Sequence, residues 1–144
     1  LMPMTMTNRG LYTITTTAFT ASSDVRMLAF KTTTPTVATI RDWNTVADLL
    51  AGTTEAAASG YTRATLTGLA VTENDTPDTV TITSNSYTWT SVGSGETWLG
   101  VAFYVEAATD ALRQLLAVDV PSSSIITNGG NITYSGLSIT ITGS

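Results

Sequence analysis

The sequence predicts an all-β, mainly antiparallel domain, a β-sandwich or jelly-roll-like fold with one short α-helix. Three observations predict it. Short alternating or wholly apolar runs recur with turn residues roughly every 8–12 positions, the rhythm of sandwiches and barrels. Threonine, β-branched and suited to a pleated strand, makes up roughly a fifth of the 144 residues. Only one segment shows helical periodicity, whereas a parallel βαβ fold needs several crossover helices. The length suits one domain. Apolar residues at 42% allow a continuous core, and charged residues at 12% are about half the usual share.

Residues 1–10 are read as a flexible arm and 11–144 as the β domain. Residues 11–19 (LYTITTTAF) alternate with heavy β-branching and predict a strand. The cluster Ala21, Ser22, Ser23, Asp24 predicts a turn. Residues 27–31 (MLAFK) are apolar on both faces and predict a buried strand, ended by three threonines and Pro35. In residues 42–51 (DWNTVADLLA) the period changes. Trp43, Val46, Ala47, Leu49 and Leu50 share a helical face, with Asp42 as the expected N-cap and Gly52 as the stop. Residues 53–59 suit either a helical extension or a loop.

From Tyr61 onward the pattern is almost entirely β. Residues 61–67 and 69–72 predict strand on either side of Gly68. Residues 73–78 (ENDTPD) form a turn, and 79–83 return as an alternating strand. Residues 87–91 and 97–106 are expected to pair as a hairpin, whose second arm (TWLGVAFYVE) is the most apolar strand and is expected at the sheet centre. After an ambiguous stretch, a strand is expected over 113–118. Residues 125–127 and 131–134 around Asn128-Gly129-Gly130 predict another hairpin, because glycine supplies the positive φ of tight turns. Residues 137–142 (LSITIT) form the last strand.

Histidine and cysteine are both absent. That removes disulfides, thiolate and imidazole nucleophiles, and every metal or haem site built on those ligands. The net charge of −5 argues against a footprint for nucleic acid or an anionic membrane. No run approaches ~18 apolar residues, so no transmembrane helix is expected. The start, Leu1-Met2-Pro3-Met4-Thr5-Met6, has no basic stretch followed by an apolar run, so a signal peptide is not expected there. An exterior made of hydroxyls rather than charges is buried against a neighbour at low desolvation cost, which leans toward an assembled protein.

Each candidate site has a plain counterpart. Glu73, Asp75 and Asp78 can collect oxygens for Ca²⁺, or form a solvated turn; they lack the spacing of an EF-hand loop. Tyr87, Trp89, Trp98 and Tyr104 would stack sugars if exposed on a flat face, and are core if buried. Trp43 either plugs the helix onto the sandwich or offers a face to a partner. Asn74-Asp75-Thr76 and Asn131-Ile132-Thr133 match glycosylation sequons, as chance allows in so threonine-rich a chain. Gly93-Ser94-Gly95 lies in a hairpin loop, not at a phosphate-binding helix start. The eleven acids single out no catalytic carboxylate pair. No cofactor is expected.

The helical segment 43–50, then 61–68 (YTRATLTG), the glycine-bearing strand 100–104 (GVAFY) and 128–133 (NGGNIT) follow one another in an order that resembles small β-rich virion proteins of tailed bacteriophages, the head decoration or cement type. The resemblance implies a non-enzymatic structural protein on the phage head surface, a homotrimer that braces adjacent major capsid protein subunits. A tail, neck or fibre component, or a carbohydrate-binding module, is the alternative. Within that frame the arm Met2, Pro3, Met4, Thr5, Met6, Thr7, Asn8 and Arg9 is expected to order by adding a strand to a neighbour's edge, with avidity from several arms at once.

Overall fold

The computed structural model describes residues 4–10, 20–76 and 78–142. The strand expected over 11–19 lies outside them. The described part is predominantly antiparallel β structure in sandwich-like layers, in agreement with the sequence. Among the described residues there are thirteen strands: β1 (Thr5–Met6), β2 (Val25–Lys31), β3 (Thr54–Glu55), β4 (Ala64–Thr65), β5 (Ala70–Asn74), β6 (Thr79–Thr83), β7 (Tyr87–Trp89), β8 (Thr97–Trp98), β9 (Gly100–Val105), β10 (Leu115–Asp119), β11 (Ile125–Ile126), β12 (Ile132–Tyr134) and β13 (Ser138–Thr142). The main sheet runs β1-β10-β9-β2-β3, with β4 sharing the β2 edge. A second sheet runs β13-β6-β5, and β7–β12 and β8–β11 form two short ribbons.

The main sheet is buried on both faces, and strand alternation sorts its side chains into two cores. Val25, Met27 and Ala29 of β2 and Val101 and Phe103 of β9 face the other strands, where they meet Ile82, Trp89, Trp98, Ile132 and Ile139. Leu28, Phe30, Ala102 and Tyr104 face the opposite way, onto Ile40, Trp43, Val46 and Leu49. On β10 the adjacent residues Leu116 and Ala117 both enter the first core. A bulge between Leu115 and Ala117 makes this possible, since the extra residue breaks the alternation. As expected, β9 is central and the 27–31 strand is buried over 27–30, with Lys31 half-buried.

The single helix expected over 42–51 is instead two, α1 (Val37–Asp42) and α2 (Val46–Gly52). Asp42 therefore ends a helix rather than capping one. The competing signal was threonine. Thr36 accepts a hydrogen bond from the Thr39 N–H, and Thr45 and Asp48 form a reciprocal capping box. Trp43 lies in the corner between the helices and is buried in the second core, which is the plug expected of it. The alternatives for 53–59 resolve as β3 and a loop.

Neither long hairpin forms as expected. Residues 87–98 and 125–134 pair with each other instead, through β7–β12 at one end and β8–β11 at the other. Between the ribbons the two glycine-bearing loops bond across: Gly129 N–H to Val92 O at 2.8 Å, Val92 N–H to Gly130 O at 2.9 Å, and Thr127 N–H to Glu96 O at 2.9 Å. The expected hairpin turns are thus bulged middles of one long irregular pair.

Candidate functional site

The second sheet builds a surface of uniform chemistry. Register aligns Thr140, Thr81 and Thr72 in one row and Thr142, Thr79 and Asn74 in the next, with Ser138, Thr83 and Ala70 completing the array. Ile82 and Ile139, one residue out of phase with these rows, are buried in the first core. Alternation therefore turns the hydroxyl rows outward. The positions on β5 and β13 are exposed and those on the central β6 half-buried. No ionisable side chain stands in these rows, so each position offers a hydroxyl, an amide or a methyl.

The N-terminal arm is placed differently from expectation. Its described part is integrated in the chain's own main sheet: Thr5 pairs with Val118 and Met6 with Ala117. Thr5 and Thr7 are buried, Met4 and Met6 pack against the first core, and Asn8 is exposed. The Thr7 N–H donates to Leu116 O at 3.0 Å, and its hydroxyl donates to Leu115 O. A Cβ on Gly10 would overlap the Leu116 carbonyl, so the close approach requires glycine there. Unpaired backbone on β10 and the apolar Met4 and Met6 supply the reason the arm folds inward. Residues 8–10 are helical, and Met2 and Pro3 lie outside the described residues. Met4–Asn8 together with Val37, Arg41, Thr140 and Ile141 line an open groove of about 560 Å³ beside the hydroxyl rows.

Many of the charges are drawn into ion-pair networks. Arg63 binds Glu55 at 2.7 Å and Asp110 at 2.6 Å; Arg113 binds Asp110 at 2.8 Å and Glu106 at 2.6 Å; Arg26 reaches Glu106 and Asp24 at 3.2 Å. Both Arg63 and Arg113 lie over the Tyr104 ring, at 5.7 and 6.0 Å. Bonds from Arg63 and then Arg113 hold the Asp110 carboxyl below its ordinary range, against partial burial. Tyr61 donates to Glu55 and accepts from the Ala29 N–H, and burial raises its phenol. This chain ties β2, β3 and the 106–114 loop together.

Glu96 is a second knot. Its carboxylate pairs with Lys31 and accepts from Trp98 Nε1 at 2.9 Å and the Ala57 N–H at 3.1 Å. Partial burial works to raise its pKa, but the Lys31, Trp98 and Ala57 bonds outweigh it and hold the carboxyl at about 2. Because folding depresses this pKa, the knot contributes its full stability above the ordinary 4.5 and loses it as pH falls toward about 2. Glu96→Gln is expected to lower the urea midpoint near neutrality and to flatten its acid dependence in that window. An unchanged acid slope would show that Glu96 does not carry it.

Trp89 and Trp98 are fully buried, stack edge-on at 5.3 Å, and contact Tyr61. Tyr104 is likewise buried, and Tyr87 is half-buried against Trp89. The aromatic quartet is core, so neither tryptophan offers a sugar a flat exposed ring. Glu73, Asp75 and Asp78 sit at the β5–β6 tip, where Thr76 N–H caps Asn74 Oδ1 at 3.0 Å. Among the described residues no group of three acids is gathered tightly enough for a metal, and no helix is long and apolar enough to cross a membrane. In the second sequon Asn131 Oδ1 accepts from the Ser91 N–H.

The hydroxyl rows were missed by sequence reasoning, though their signal was present. Residues 79–83 and 138–142 each place hydroxyls at every second position and 70–74 adds Thr72 and Asn74 in the same phase, but only the registers put those positions on one face. Comparison with known proteins finds no matching family model, no matching curated sequence and no matching solved structure.

Proposed function

We propose that the chain is a non-enzymatic structural protein of a tailed-bacteriophage virion, a decoration protein that docks on the outside of the head and braces adjacent major capsid protein subunits, as a homotrimer. The observation that carries a docking role is the uncharged hydroxyl array of β5, β6 and β13. Such a face exchanges hydrogen bonds with a neighbour without desolvating charge. The virion assignment itself rests on the resemblance in segment order. With Thr5–Met6 filling the chain's own β10 edge, docking passes from the arm Met4–Arg9 to the array and the groove beside it.

The test uses preformed heads assembled from the major capsid protein encoded alongside this chain. Wild-type protein is expected to co-sediment with them and raise their thermal resistance. Thr72→Lys combined with Thr140→Lys is expected to weaken binding by at least ~10-fold with an unchanged melting curve, since burying two unpaired ammonium groups is costly. Full binding by this variant would remove the array from the interface. Binding to tails instead of heads would transfer the protein to the tail, neck or fibre.

A further inference from the structure

One chemically reactive dipeptide stands at the crossing of the two paired loops. Asn128 is the only asparagine followed by glycine, and both residues are exposed. In an open chain this pair is prone to cyclise, because glycine carries no Cβ to hinder attack by its own backbone nitrogen. The Gly129 nitrogen, once deprotonated, adds to Asn128 Cγ. The Cγ–Nδ2 bond breaks, ammonia leaves, and a succinimide remains. Water then opens either carbonyl, giving aspartate or isoaspartate at 128.

The fold engages both reacting groups. The Gly129 N–H donates to Val92 O at 2.8 Å, and Asn128 Oδ1 accepts from the Gly130 N–H at 3.0 Å. The nucleophile is thus tied across the ribbon, and the carboxamide is held by the nitrogen of residue 130 rather than presented to that of 129. Gly129 takes φ +87°, with Val92 N–H returning a bond to Gly130 O at 2.9 Å. Ser91 N–H on Asn131 Oδ1 at 3.0 Å closes the next rung.

We propose that Asn128 is a spontaneous modification site, latched by the Val92 pairing, and that opening of the 91–96 and 127–131 loops sets its conversion to aspartate and isoaspartate. Isoaspartate lengthens the backbone by one methylene. Once formed, it prevents the loops from re-pairing in register, so a transient opening becomes a lasting one beside β7 and β12. The inference concerns the stability of the chain over time and stands whether or not the protein decorates a head.

The experiment incubates the full-length protein in mildly alkaline buffer, native and in urea, and follows residue 128 by peptide mass mapping and isoaspartyl methyltransferase labelling. Conversion in urea is expected to exceed that of the native protein by at least ~10-fold, the ratio set by the opening equilibrium. Asn131→Ala, which removes the Ser91 rung, is expected to fall between the two without global unfolding. Asn128→Asp is expected to abolish the mass change. Equal native and urea rates would overturn the latch, absence of conversion at 128 in urea would overturn the site, and an Asn131→Ala rate equal to wild type would remove loop opening as the controlling step.

Discussion

Trp98→Ala is expected to destabilise the protein by about 3–5 kcal/mol, the cost of deleting a fully buried indole from a packed core. The side chain has no solvent exposure, meets Tyr61 at 5.4 Å and Trp89 at 5.3 Å, and donates its N–H to Glu96. Alanine leaves a cavity between the main sheet and the ribbons and removes a donor from a carboxylate held partly out of water. For a domain of this size the melting midpoint falls by about 10–15 °C, as read by far-UV circular dichroism. Trp98→Phe is expected to recover most of the packing but not the Glu96 bond, separating the two contributions. A fall under about 3 °C for Trp98→Ala would contradict a core position.

Arg63→Met is expected to cost about 2–3 kcal/mol. Breaking a buried ion pair by removing one partner costs about 3–5 kcal/mol. Here the figure is lower because Arg63, Glu55 and Asp110 retain 22%, 25% and 34% side-chain exposure, and water screens part of the interaction. The loss is larger than for an isolated surface pair because one guanidinium serves two carboxylates, which repel each other once it is gone. A double-mutant cycle with Glu55→Gln in urea denaturation is expected to show coupling of about 0.5–1.5 kcal/mol, as members of one network do not add independently. Additivity would show that Arg63 acts through Asp110 and the Tyr104 ring rather than through Glu55.

Strand identity was largely legible because it is local. The apolar run of residues 27–31, the alternation of 79–83 and the hydrophobic TWLGVAFYVE segment each state their burial in their own spacing. Helix boundaries were less so: the apolar face of Val46 and Leu49 was plain, but Thr45 with Asp48 outcompeted Asp42 as the start, since a capping box satisfies two backbone donors where a lone cap satisfies one. The strand in the arm was not legible, because Met4, Thr5 and Met6 are too few to show an alternation of their own. A two-residue strand with two methionines is enough once β10 offers an edge and a core.

The sequence by itself determined an all-β chain, a central strand within residues 97–106, the absence of histidine and cysteine chemistry, and an exterior rich in hydroxyls. Tertiary structure alone decided which strands meet. Backbone hydrogen-bonding edges are nearly the same for every residue type, so residues 87–98 were as able to fold back on their own continuation as to pair with 125–134. The choice fell to the arrangement that buries Trp89 and Trp98 in one core while bonding both glycine loops to each other. The same dependence on register explains the hydroxyl array: threonines at alternate positions of three distant segments become one surface only when Thr72, Thr81 and Thr140 are brought side by side.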